Sequence, residues 1–137
     1  MSWGERIALG LGLLGCAASV GAAQGFSCPS QITAPPALAA SYPGWTAWAS
    51  PRPVHFDQIA ITSGHPDDEA TLVPDIETKK QVGWRLQPGR EHWAVCRYDD
   101  SNMRLIQRLP QGLRQCVVTL KTVGRRAVQQ MPNLQCD

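Results

Sequence analysis

What is missing from this 137-residue chain narrows its role before any motif is read. Its cysteines include no close pair of the C-x-x-C kind, because Cys28, Cys96, Cys116 and Cys136 are separated by 68, 20 and 20 residues. That spacing disfavours a structural zinc site, which normally draws on such pairs. No Ser-His-Asp arrangement, no cysteine partnered with histidine and no phosphate-cradling glycine loop is visible, so nucleophilic and phosphoryl-transfer chemistry have no carrier. Beyond the first two dozen residues no window keeps a helical period, which excludes a helix bundle. No apolar run reaches the roughly 20 residues that cross a bilayer as a helix.

Charge is also missing in places. Residues 29–53 hold no Asp or Glu, and residues 57–77 hold six acidic residues with no Lys or Arg. Residues 79–126 reverse this, with eleven basic residues against Glu91, Asp99 and Asp100. The basic residues stand singly, at Arg85, Arg90, Arg97, Arg104, Arg108 and Arg114, alternating with apolar positions. That pattern fits the wet face of a sheet rather than a nucleic-acid tract.

What is present begins with an address. Met1 to Arg6 is short and charged, Ile7 to Val20 is apolar and glycine-rich, and Gly21-Ala22-Ala23 suits a cleavage site. This is the order of an export signal, with periplasmic delivery as its consequence. Leu13-Leu14-Gly15-Cys16 offers a second reading, a lipoprotein precursor cut at Cys16 and held by a lipid anchor. Removing 23 residues leaves 114, enough for one small domain. The four remaining cysteines then predict two disulfides in an oxidising compartment.

The mature chain divides into a Pro/Ala-rich segment, 24–53, packed on a β domain, 54–137. Prolines at 29, 35, 36, 43, 51 and 53 argue against regular sheet in the first part. Trp45 and Trp48, beside Pro43-Gly44, are expected to lid one end of the core, with a stacking platform for sugar or peptide as the alternative. Strand signals follow at Val54–Ile61, with a bulge between Phe56 and Ile59, and at Gln81–Leu86, Glu91–Tyr98, Met103–Leu109 and Leu113–Thr122. Turn signals at Pro88-Gly89, Asp99–Asn102 and Pro110–Gly112 separate the later ones. The expected fold is mainly β, a single antiparallel meander of about five strands stapled by two disulfides.

A meander places Cys96 opposite about Leu105, and Cys116 opposite about Ile106. The two cysteines would then be two strand spacings apart, roughly 9 to 10 Å, beyond the reach of a disulfide. Pairing Cys28 with Cys96 and Cys116 with Cys136 is therefore favoured, with the other two combinations left open.

Ser63-Gly-His-Pro-Asp-Asp-Glu69 is the segment closest to chemistry. It resembles the zinc motif of GlcNAc-type deacetylases, which would make His65 and Asp68 ligands and Asp67 the general base. Those enzymes are larger α/β proteins with a further His pair, whereas His55 and His92 stand apart here. A charged, solvated turn is the plainer reading, and no cofactor or metal is expected.

A second resemblance covers more of the chain. Phe26-Ser-Cys-Pro29, Pro43-Gly44-Trp45, Gly64-x-Pro66 with Leu72-x-Pro74, Trp84, Trp93-x-Val-Cys-x-Tyr98 and Leu109-Pro110-x-Gly112-Leu-x-x-Cys116 occur in order. Together they resemble a family of small exported proteobacterial proteins with members encoded beside type VI secretion genes. The resemblance implies a periplasmic, non-enzymatic immunity protein with a protein partner, a wall-directed toxin. A periplasmic inhibitor of lysozyme-type glycosidases is the alternative. The expected partner-binding residues are His65, Asp67, Asp68 and Glu69 on the acidic loop, with Arg97 and Arg104 on the sheet.

Overall fold

The computed structural model describes residues 22–33, 40–48, 52–68, 70–128 and 133–137. The expected signal core, Cys16 and Glu69 lie outside the described residues. The strands are β1 (Gln24–Ser27), β2 (Gln31–Ile32), β3 (Val54–Ser63), β4 (Ile76–Glu77), β5 (Gln81–Arg85), β6 (His92–Tyr98), β7 (Arg104–Arg108), β8 (Gln115–Thr119), β9 (Lys121–Val123), β10 (Arg126–Val128) and β11 (Asn133–Cys136). The helical content among the described residues is one 3-10 turn, Pro66–Asp68. The fold is mainly β and wholly antiparallel in its pairings.

The strands form two main sheets rather than one meander. One has the order β1-β11-β8-β5-β4, the other β2-β3-β6-β7, and β9 and β10 form a separate hairpin. The meander holds from β6 to β7, where Cys96 faces Leu105 as expected. It breaks at the next turn. Pro110 has no N–H to extend a ladder, and Gly112 takes a left-handed φ of 88°. The chain then crosses to the other sheet, so Cys116 faces Trp84 and Cys136 instead of Ile106. The physical reason is burial. A sheet with an apolar face needs a second layer against it, and the described residues, with a single 3-10 turn as their helix, supply that layer as another sheet.

Ile59 and Ile61 of β3 and Ala94 of β6 meet Trp84, Cys116, Val118, Leu134 and Cys136 in the core between the sheets. The register of β3 against β6 slips between Phe56 and Gln58. That bulge returns Phe56 and Ile59 to the same inner side, as the sequence pattern required. Each fully buried aliphatic side chain stabilises the fold by about 1.5–3 kcal/mol relative to exposure.

The disulfides join Cys28 to Cys96 and Cys116 to Cys136, with Cα separations of 5.8 and 4.1 Å. By loop-closure entropy, the 68-residue and 20-residue loops correspond to about 4 and about 3 kcal/mol. Cys28 also brings the front of the chain onto β6. Tyr98 Oη donates to the Pro29 carbonyl at 3.0 Å, and Phe56 N donates to Ser30 O at 2.8 Å.

Two expectations for the front segment are corrected. β2 is a short strand inside the proline-rich stretch, paired to β3 through Gln31↔His55 and Ile32↔Val54. Trp45 and Trp48 are each 82% exposed and do not lid the core. The turn before them is closed by Trp45 N donating to Tyr42 O at 3.1 Å.

Candidate functional site

The end of β3 builds the acidic loop. Ser63 is the last residue of the strand and pairs with His92. Gly64 follows with φ of 84°, a backbone region that costs a residue with a Cβ roughly 1–2 kcal/mol. Its N–H donates to Glu91 O at 2.8 Å, holding the loop against the start of β6. Pro66 is buried, and Asp68 N donates to His65 O at 2.9 Å, which closes the 3-10 turn. The loop returns through Ser63 N to Ala70 O at 2.9 Å and a bridge between Thr62 and Thr71. Both ends of the loop are thus fastened to β3 while the Asp67 carboxylate stays in solvent.

His65 faces inward along the surface, its ring edge-on to Trp93 with centroids 4.9 Å apart. Asp67 meets His65 Nδ1 in two ways, by its N–H at 3.2 Å and by its carboxylate at 3.3 Å. These contacts are alternatives: an unprotonated Nδ1 accepts the amide hydrogen, and a protonated one donates to the carboxylate. Trp93 Nε1 donates to Glu91 Oε1 at 2.5 Å, and Glu91 Oε2 lies 2.8 Å from Arg108. Since Trp93 and Arg108 are cross-strand partners, the acidic loop is linked to the first rung of the β6–β7 ladder.

The last rung pairs Arg97 with Arg104. Side chains alternate along a strand, so with Ala94 and Cys96 toward the core, Trp93, Val95 and Arg97 occupy the outer face. Arg104, Ile106 and Arg108 stand opposite them. Among the described residues neither Arg97 nor Arg104 makes an ion pair, and the buried Nε of Arg97 has no hydrogen-bond partner. Between the two ends, Val95 is 1% exposed and its partner Ile106 is 40% exposed. The face therefore runs about 13 Å from an acidic end through an apolar centre to a basic end.

Five of the six expected binding residues thus border one ladder, His65, Asp67 and Asp68 at one end and Arg97 with Arg104 at the other. They do not touch across it. The sequence reading missed Glu91, Trp93, Ile106 and Arg108, which join the two ends. The available signal was antiparallel pairing of Val54–Ser63 with His92–Tyr98, which sets the start of the second strand beside the loop after the first.

His92 belongs to the inner side of this rung. It is buried, and its Nε2 has no hydrogen-bond partner among the described residues. Burial lowers its pKa below the ordinary histidine range. A hydrogen bond with the Arg90 backbone opposes that shift, and the Arg90 charge adds to it. Burial likewise raises the Tyr98 hydroxyl.

The deacetylase reading finds no support in this geometry. Among the described residues no group of three or more His, Cys, Asp or Glu side chains is placed to hold a metal ion. His55 lies near the opposite end of β3, and Asp67 engages the Nδ1 of His65.

The result is a disulfide-stapled sandwich with charges of opposite sign at the two ends of one ladder. The chain belongs to the Type VI secretion system Tli immunity protein family, whose sequence model matches residues 50–137. Membership implies a toxin as protein partner. No curated protein and no solved structure matches the chain. No helix among the described residues is long and apolar enough to cross a membrane.

Proposed function

We propose that this protein is exported to the periplasm, where it binds an incoming type VI secretion toxin and blocks it without doing chemistry of its own. The observation that carries this reading is the immunity-family match across 88 residues, 50–137, which include the whole β6–β7 ladder. Two disulfides support the location, since they form and persist in an oxidising compartment. The outer face of β6 and β7 is the surface offered to the toxin. Ile106 is its apolar centre, with the acidic loop and the arginine pair as the charged rim that orients the partner. A wall-directed hydrolase encoded beside this chain is the first toxin to test.

The test is binding of the oxidised mature chain to that toxin, by calorimetry and by protection of cells that express it. A one-to-one complex and protection are expected. Replacing Asp67, Asp68 and Glu69 together by serine is expected to weaken the complex while leaving the melting temperature near wild type. Absence of a complex, with inhibition of a lysozyme in a parallel panel, would move the assignment to glycosidase inhibition.

A further inference from the structure

The β7 strand has an unusual surface for an edge. Among the described residues it pairs only with β6, and all five of its residues are exposed, including Leu105 and Ile106. Edge strands with apolar side chains are templates for another strand unless a bulge, proline or cover blocks them. Arg104-Leu-Ile-Gln-Arg108 contains no proline, and its register with β6 runs without a shift.

Backbone direction fixes which groups remain available. Leu109 N donates to His92 O at 2.9 Å, so the Leu109 amide points toward β6. Alternate residues of an antiparallel strand point the same way. Leu105 and Gln107 therefore pair with β6, while the amides and carbonyls of Arg104, Ile106 and Arg108 face outward along the edge.

Beneath this edge lies an apolar cavity of about 140 Å³ between the sheets, lined by Phe26, Cys28, Ala94, Cys96, Leu105 and Leu134 among others. An apolar cavity of this size accommodates a group as large as benzene. A strand laid along β7 would drop alternate side chains into the cavity and set the others on the outer face, beside Arg104, Ile106 and Arg108.

Charge selects the occupant. A second copy pairing antiparallel through β7 about Ile106 would set Arg104 of each chain against Arg108 of the other, a like-charge arrangement that destabilises a ladder. Arg97 already faces Arg104, and no carboxylate among the described residues pairs with either. We infer that β7 accepts an extended strand of the toxin with the pattern acidic-x-apolar, adding it to the β2-β3-β6-β7 sheet. The acidic side chain faces Arg104 with Arg97, the apolar residue covers Ile106, and the residue between them enters the cavity; Arg108 at the other end is already held by Glu91. Main-chain hydrogen bonds then supply affinity and the alternating side chains supply specificity. This inference rests on the toxin-binding reading and specifies how that binding is made.

The experiment is amide hydrogen exchange of the oxidised mature chain, free and bound to the toxin encoded beside it, with Ile106→Pro as the paired variant. Protection rising at least about tenfold at the alternate amides of Arg104, Ile106 and Arg108 is the expected result. Ile106→Pro removes an outward N–H that β6 does not use. It is expected to weaken the complex at least about tenfold while the amides of Leu105 and Gln107 stay protected. A tight complex that leaves the three edge amides as exposed as in the free chain would overturn strand addition and leave toxin binding standing. Concentration-dependent protection in the chain alone would assign the edge to a second copy and overturn the inference. No complex at all would remove both readings.

Discussion

β7 and β8 follow one another in the chain and have five residues each, yet they meet opposite environments. β8 lies between β11 and β5, with Cys116 and Val118 wholly buried and a disulfide fastening it to its neighbour. β7 lies at the rim of the other sheet with both of its faces open. Their sequences carry the difference in spacing: Gln-Cys-Val-Val-Thr keeps its small and branched residues together, whereas Arg-Leu-Ile-Gln-Arg encloses an apolar pair between two charges. The first strand is scaffold. In the proposed reading the second is the binding surface, and a surface held still by its scaffold brings apolar area to a partner without reorganising.

Substitutions can break this contrast from the scaffold side with the largest effect. Leu134, which pairs with Val118 across the β11–β8 ladder, is wholly buried. Leu134→Ala is expected to destabilise by about 2–5 kcal/mol in chemical denaturation. Ile106→Ala on β7 is expected to change stability by less than about 0.5 kcal/mol while weakening the toxin complex. Removing Cys28 and Cys96 together is expected to cost about 4 kcal/mol, more than the about 3 kcal/mol for Cys116 with Cys136, because the loop is longer. Equal losses for the two pairs would show that strain or residual unfolded structure outweighs loop length.

Smaller changes sharpen the contrast at the loop. Gly64→Ala is expected to lose about 1–2 kcal/mol, since it forces a left-handed backbone on a residue with a Cβ that would also stand 3.1 Å from Asp68 Oδ2. A smaller effect comes from His92. Its folded-state pKa is depressed by burial, so the unfolded chain takes up the proton first as the pH falls. Stability from this group is complete above the ordinary histidine value of about 6.5 and is lost progressively below it. His92→Gln is expected to flatten the stability profile just below that pH, measured as the difference from wild type. An unchanged slope would place the acid sensitivity elsewhere.

Strand positions were legible because alternation and turn residues are local properties. Pro88-Gly89, Asp99–Asn102 and Pro110–Gly112 each stand at a boundary, and the bulge near Phe56 was visible as a break in the inward pattern. Sheet membership was not legible, because it depends on which layer covers Cys116 and Val118, a long-range outcome. The favoured disulfide pairing proved correct although its premise of three neighbouring strands did not. Cys96 and Cys116 are held apart by belonging to different sheets rather than by an intervening strand. The candidate site divided in the same way. Its charged ends stood out as an acidic loop and spaced arginines, but Trp93, Glu91 and Arg108 became one cluster only through cross-strand register. The exposed Trp45 and Trp48 show the limit of composition, since large aromatic residues carry no mark of whether a core receives them.

The central claim is that the β6–β7 face is where the toxin binds. The most direct measurement compares toxin affinity of the wild-type oxidised chain with that of Arg97→Glu/Arg104→Glu, alongside their melting temperatures. The account predicts a stoichiometric wild-type complex, weakened at least about tenfold by the double charge reversal, with the melting temperature close to unchanged. Equal affinities for the two proteins would contradict it and place the toxin on another surface of the sandwich.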